Sequence, residues 1–178
     1  MPASAEDVAL VTELLGREPQ ADFEVVVRGP DGRPVVLCNA PLLRDGTPMP
    51  TRYWLVDPDL VRAVSQLEGD GGVRRAEQEV DAGELAAAHA AYAAERDAAI
   101  PPGHAGPRPY GGVGGTRTGV KCLHAHVAHH LAGGDDPVGR WALAHLDPES
   151  VGAIARSLDE ERYPLPSRQT GADEGGAA

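Results

Sequence analysis

The 178-residue chain is poor in aromatic side chains: they make up 4% of it, with a single phenylalanine. Its core must therefore be built from Ala, Val and Leu. Cysteine is scarce as well. Cys38 and Cys122 are the only two, and a disulfide framework needs more, together with a secretory context. Basic residues are outnumbered, 16 Lys+Arg against 27 Asp+Glu, for a net charge of −11. That balance argues against a general nucleic-acid or anionic-membrane binder. No uninterrupted apolar run approaches the ~18 residues of a membrane span. The opening MPASAEDVALV has no basic region followed by an apolar run, so no signal peptide is visible. The expectation is a cytoplasmic protein with reduced thiols.

What the chain has in quantity is Gly (22) and Pro (16), together more than a fifth of it, which implies long irregular connections. One α+β domain over residues 5–158 is expected, with a disordered acidic tail over 159–178.

The elements follow from pattern. Ser4 with Asp7 three residues on reads as a capping box, starting a helix to Leu15 that Gly16 ends. DFEVVVR (Asp22 to Arg28) and PVVLCN (Pro34 to Asn39) flank a Gly-Pro-Asp-Gly turn and form a hairpin. TRYWLV (Thr51 to Val56) is a third strand, with Arg52, Trp54 and Val56 on one face and Thr51, Tyr53 and Leu55 on the other. Asp57-Pro58 opens a helix with an N-cap and a first-position proline. Leu60, Val61, Val64 and Leu67 form its apolar stripe. Val73 to Ala99 is alanine-rich and helical, with Gly83 able to split it and Val80, Leu85, Ala88 and Tyr92 as contacts. Ile100 to Thr118 is a long Pro/Gly loop of the kind that is usually functional or disordered. Asp136-Pro137 starts a further helix, and Asp147-Pro148 a last one to about Leu158. The sum is a three-stranded antiparallel sheet packed with five or six helices.

The chemistry concentrates in Gly111 to Gly139, which carries four of the seven histidines. It reads as a flexible Gly-rich entry, a helix from about Val120 to Ala132, and a Gly133-Gly134 stop. At about 100° per residue, Val120, Leu123, Val127 and Leu131 fall within about 80° and make a buried stripe. Cys122, His126 and His129 fall within about 60° on the opposite side, while His124 borders the stripe. Cys122 would sit in the first turn beside Lys121, where unpaired amides and a cation favour thiolate and lower its pKa.

Several chemistries fit these residues. Cys122, His126 and His129 offer zinc-type ligands, with Cys38, His104 or Asp136 as a fourth. His124-Ala-His126-Val-Ala-His129 parallels a metallo-β-lactamase string, but Ala128 stands where an aspartate belongs. Gly114 to Lys121 lacks the adjacent Gly-Lys-Ser/Thr of a P-loop. A looser anion cradle remains, with Arg117 and Lys121 beside glycine amides. Cys122 and His126, one turn apart, could also form a nucleophile pair. The phosphatase Cys-x5-Arg loop is absent, with Ala128 at the arginine position.

Pro50 to Leu55, Lys121 to His124, Ala128-His129 and Pro137 to Gly139 together resemble the bacterial family called domain of unknown function 501, in an actinobacterial form. The resemblance covers roughly residues 5–146. It implies no biochemical activity, but places Cys122, His124 and His129 inside the family pattern and leaves His126 and His130 outside. It also includes the Tyr53 segment, where Arg52 departs from the commoner residue. Members tend to be encoded near a septum-formation coiled-coil protein and an exopolyphosphatase.

Two readings result. In the first, a small-molecule enzyme or metal-binding protein uses Cys122, His129 and His124. Arg117, Lys121, Tyr53 and Arg52 then hold a phosphate- or carboxylate-bearing ligand, and a zinc-like ion sits on Cys122, His126 and His129. In the second, the chain is a non-catalytic interaction module for division or envelope proteins, acting through the Val73 to Ala99 helix and an acidic surface.

Overall fold

A computed structural model describes residues 2–147. Its order is α1 (Ala5–Leu15), β1 (Phe23–Arg28), β2 (Pro34–Asn39), β3 (Tyr53–Leu55), α2 (Pro58–Gly69), α3 (Gly72–Glu79), α4 (Ala82–Ala98), α5 (Leu123–Leu131) and α6 (Pro137–His145). The strands form one antiparallel sheet in the order β1-β2-β3. This is the expected α+β arrangement, a three-stranded antiparallel sheet packed with helices, of which the described residues hold six. The last expected helix and the acidic tail lie outside the described residues.

Local chemistry sets the element ends. The Ser4–Asp7 capping box is formed in both directions, and Gly16 closes α1 in the left-handed region at φ 66°. Asp57 caps α2 by accepting the amide of Leu60. The break in the alanine-rich segment falls at Val80 and Asp81 rather than at Gly83. The Asp81 side chain accepts the Glu84 amide and restarts the helix two residues earlier.

The sheet has a core on each face. Tyr53 and Leu55 join Val36, Leu60, Val64, Tyr92, Leu123 and Val127 on one side. Trp54 and Val56 join Val11, Phe23 and Leu37 beneath α1 on the other. The alternation expected for Thr51 to Val56 thus divides β3 between two hydrophobic layers. β1 changes layer within itself: Val25 packs with the α1 side and Val27 with the helical side. An irregularity in its pairing with β2 between these residues lets it do so. Helix α5 packs on β3 and α6 and is buried on nearly every side. No helix of the described residues is long and apolar enough to cross a membrane.

Candidate functional site

The glycine-rich entry is a folded structure, not the flexible one its composition suggests. A short 3-10 turn covers Val113–Gly115. The buried Arg96 guanidinium donates to the carbonyls of Gly111 (2.7 Å) and Tyr110 (3.3 Å). His89 braces the same loop: its Nδ1 accepts the Val113 amide (3.0 Å) and its Nε2 lies 3.0 Å from the Gly119 carbonyl. A ring that accepts at Nδ1 and faces a carbonyl at Nε2 is a neutral Nε2–H imidazole. Burial, which pushes the His89 pKa down, favours the same form. Gly112 is required for this packing, since a Cβ there would overlap the His89 ring. The amides of Gly112, Gly115 and Thr116 bond within the loop, and that of Val120 goes to Glu77 (2.7 Å).

Helix α5 starts later than the wheel assumes. Glu77 holds Val120, and Glu68, from the end of α2, accepts the Leu123 amide. Cys122 is left as the N-cap in extended conformation (φ −157°, ψ 148°), outside the helix. The common Cys122/His126/His129 face therefore does not form. His126, His129 and His130 are buried, whereas the half-buried His124 turns to α2.

His124 lies with Glu68 and Cys122. One ligand atom from each lies within 4.8 Å of the others, the one such metal-capable group among the described residues. His124 Nδ1 is 3.1 Å from Glu68 Oε1. Its Nε2 is 3.1 Å from Ser65 Oγ and 3.2 Å from the Val61 carbonyl. The Cys122 thiol is partly buried, and burial raises its pKa. The amides of Ala125 and His124 and the charge of Lys121 act the other way but do not prevail. The lowered pKa expected for this thiol is thus corrected to a raised one: the sulfur is too far out of water.

The other histidines gather on Asp136. Its fully buried carboxylate caps α6 by accepting the Val138 and Gly139 amides at 3.0 Å. His126 Nδ1 lies 2.9 Å from both oxygens and His129 Nδ1 2.9 Å from Oδ2. Burial alone would raise the Asp136 pKa. Hydrogen bonds from His126 and His129 outweigh it and hold this carboxyl far below the usual range. His126 Nε2 is sealed without a partner.

Tyr53 stacks on the His129 ring at 5.8 Å, and Tyr92 meets it edge-on at 5.1 Å. The Tyr53 hydroxyl donates to Glu95, which also accepts Arg52 Nε at 3.0 Å. Arg52 and Tyr53 thus belong to the surroundings of His129, away from the Cys122 group. Lys121 is exposed beside Cys122. Arg117 stacks on Tyr110, 5.5 Å from its ring centre.

Glu68 is the member that sequence reasoning misses. It sits 54 positions before Cys122, and nothing in QLEGDGG distinguishes it from a solvated helix residue. Asp136 was legible as a helix cap and as a possible companion of His126 and His129 on a metal; its direct hold on both imidazoles was not.

A family model described as "Protein of unknown function (DUF501)" matches residues 25–144. No curated protein and no solved structure matches the chain.

Proposed function

We propose a metal-binding function for this chain, which belongs to the DUF501 family of proteins of unknown function. The ion is of the zinc type and its protein ligands are Glu68, Cys122 and His124. One observation carries the reading: His124 Nδ1 and a Glu68 oxygen converge to 3.1 Å, with the Cys122 sulfur within 4.8 Å of both. The Ser65 hydroxyl spends its hydrogen on the Val61 carbonyl (2.8 Å). Both neighbours of His124 Nε2, Ser65 Oγ and Val61 O, are therefore acceptors, so Nε2 carries a proton. In the neutral ring Nδ1 is then a lone pair, and it points at a carboxylate oxygen 3.1 Å away. Two acceptors hold that separation only with a positive charge between them, a proton or a cation. The Cys122 sulfur within 4.8 Å of both favours the cation.

The donor set suits zinc, which takes Cys, His and Glu together. An Nε2–H directed at a backbone carbonyl is the usual outer support of a metal-bound imidazole. Three protein ligands leave the fourth position of a tetrahedral ion for water or a small molecule, as in catalytic rather than structural zinc sites. Lys121, exposed beside Cys122, would favour an anionic group there. Such an ion would act as a Lewis acid toward that group. The chain's own part would be to hold the three donors and to supply a thiol that loses its proton to solvent as its sulfur takes the metal.

Elemental analysis of purified protein tests this, backed by absorption after cobalt substitution. About one zinc per chain and a thiolate-to-cobalt band lost in Cys122→Ser support the reading. Protein that retains no metal, or a cobalt spectrum indifferent to Cys122→Ser and His124→Ala, overturns it.

A further inference from the structure

A second feature, at residues other than those of the proposed metal, is a cavity beside the sheet. It has a volume of about 420 Å³ and opens at the ends of β1 and β2, walled by Phe23, Cys38, Asn39, Arg44, Arg52 and Ala99 among others. Its size is that of a small-molecule pocket, and its wall mixes apolar surface with a few fixed polar groups.

Two of those groups are built in. The Arg52 side chain is 16% exposed. It is clamped by Nε to Glu95 at 3.0 Å and by Nη1 to the Asn39 carbonyl at 3.2 Å. Asn39 is 3% exposed, with its Nδ2 donating to the Thr51 carbonyl at 3.2 Å. These bonds leave Arg52 Nη2 and Asn39 Oδ1 without a protein partner among the described residues. Neither atom is among the sealed, unsatisfied ones, so both remain open, on residues that line the cavity. Held through Nε and Nη1, the guanidinium keeps the N–H groups of Nη2 for a ligand carboxylate. An amide oxygen beside it asks for a donor. Arg44 brings a second cation to the wall, with Asp22 at 3.2 Å as its counter-charge.

We infer that this cavity binds a small carboxylate carrying a neighbouring N–H, of the acylated amino-acid type. The carboxylate sits on Arg52 and the N–H on Asn39. Cys38 lines the same wall and reports occupancy. Its burial raises the thiol pKa, so alkylation there is slow and responds to whatever covers it.

The test titrates isotope-labelled protein with N-acetylglycine, and with acetate as the probe lacking the N–H. N-acetylglycine should shift the Arg52 Nε–H and Asn39 side-chain amide signals saturably, and more tightly than acetate does. At about ten times its dissociation constant it should slow iodoacetamide modification of Cys38 by about tenfold. Peptide mapping separates Cys38 from Cys122, whose rate should not change. Arg52→Lys, which keeps the charge but loses the fork, should weaken binding at least about tenfold. Shifts that stay linear, Cys38 left unprotected, or equal binding of acetate would overturn the inference. Should Arg52→Lys fail to fold, the wild-type titration alone decides.

Discussion

Asp136 Oδ2 takes the Nδ1–H of His129 across 2.9 Å, with both side chains sealed between α5 and α6. The same carboxylate serves His126 and caps α6. A buried acceptor with four donors is costly to alter, because each donor left unpaired stays out of water.

Asp136→Asn should therefore destabilise the fold by about 3–5 kcal/mol, read as a lower urea midpoint at neutral pH. The pH dependence has a definite sign. The folded pKa of Asp136 is depressed, so its contribution is complete above the unfolded value of about 4. It is lost as pH falls below that value. The wild-type stability curve should drop in acid, and that of the Asp136→Asn variant should be flatter there. Parallel curves would mean that Asp136 is not the group responsible.

The buried phenols give an alkaline counterpart. Burial pushes Tyr92 up to about 12, and Tyr53 rises further for the same reason, aided by its bond to Glu95. A raised phenol pKa contributes stability below the unfolded value near 10, which disappears as pH rises beyond it. Ultraviolet titration should show two of the four tyrosines resisting ionisation until the protein unfolds. Four phenols titrating together near pH 10 would contradict their placement.

Glycine substitutions separate packing from propensity. A Cβ at Gly134 would overlap the His129 ring at Nε2. Gly134→Ala should cost about 1–3 kcal/mol through forced movement of the ring, seen as a lower thermal midpoint. A Cβ at Gly69, near the end of α2, meets nothing within 4 Å. Gly69→Ala should be neutral or gain up to about 1 kcal/mol.

If the ion binds as proposed, its retention should fall in acid, because Cys122 and His124 must shed protons to hold it. Dialysis at about pH 5 against about pH 7.5, followed by elemental analysis, measures this. Equal metal content at both would argue for adventitious binding elsewhere.

The sequence made the sheet, the helix caps and the two-sided role of β3 legible. These depend on local signals: Ser4–Asp7, Asp57-Pro58, Asp136-Pro137 and alternation along Tyr53 to Val56. The grouping around Cys122 was half legible. Cys122 and His124 stood out by residue type, and His124 is the nearer partner because the helix begins one residue after the cysteine. That start is imposed from outside by Glu68 and Glu77, and no helical wheel contains such information. The wheel likewise placed His126 and His129 on the face opposite the buried stripe, whereas both are buried. Asp136, ten and seven positions on, makes their burial tolerable by accepting both Nδ1–H groups.

The two glutamates that hold Val120 and Leu123 belong to helices more than forty residues upstream. The 111–145 segment thus borrows its architecture from a distant part of the chain. Excised as a peptide, it should remain largely unstructured in water, however helical its composition. During folding its histidine-rich turn-by-turn order should arrive late, after the scaffold that supplies those carboxylates has assembled.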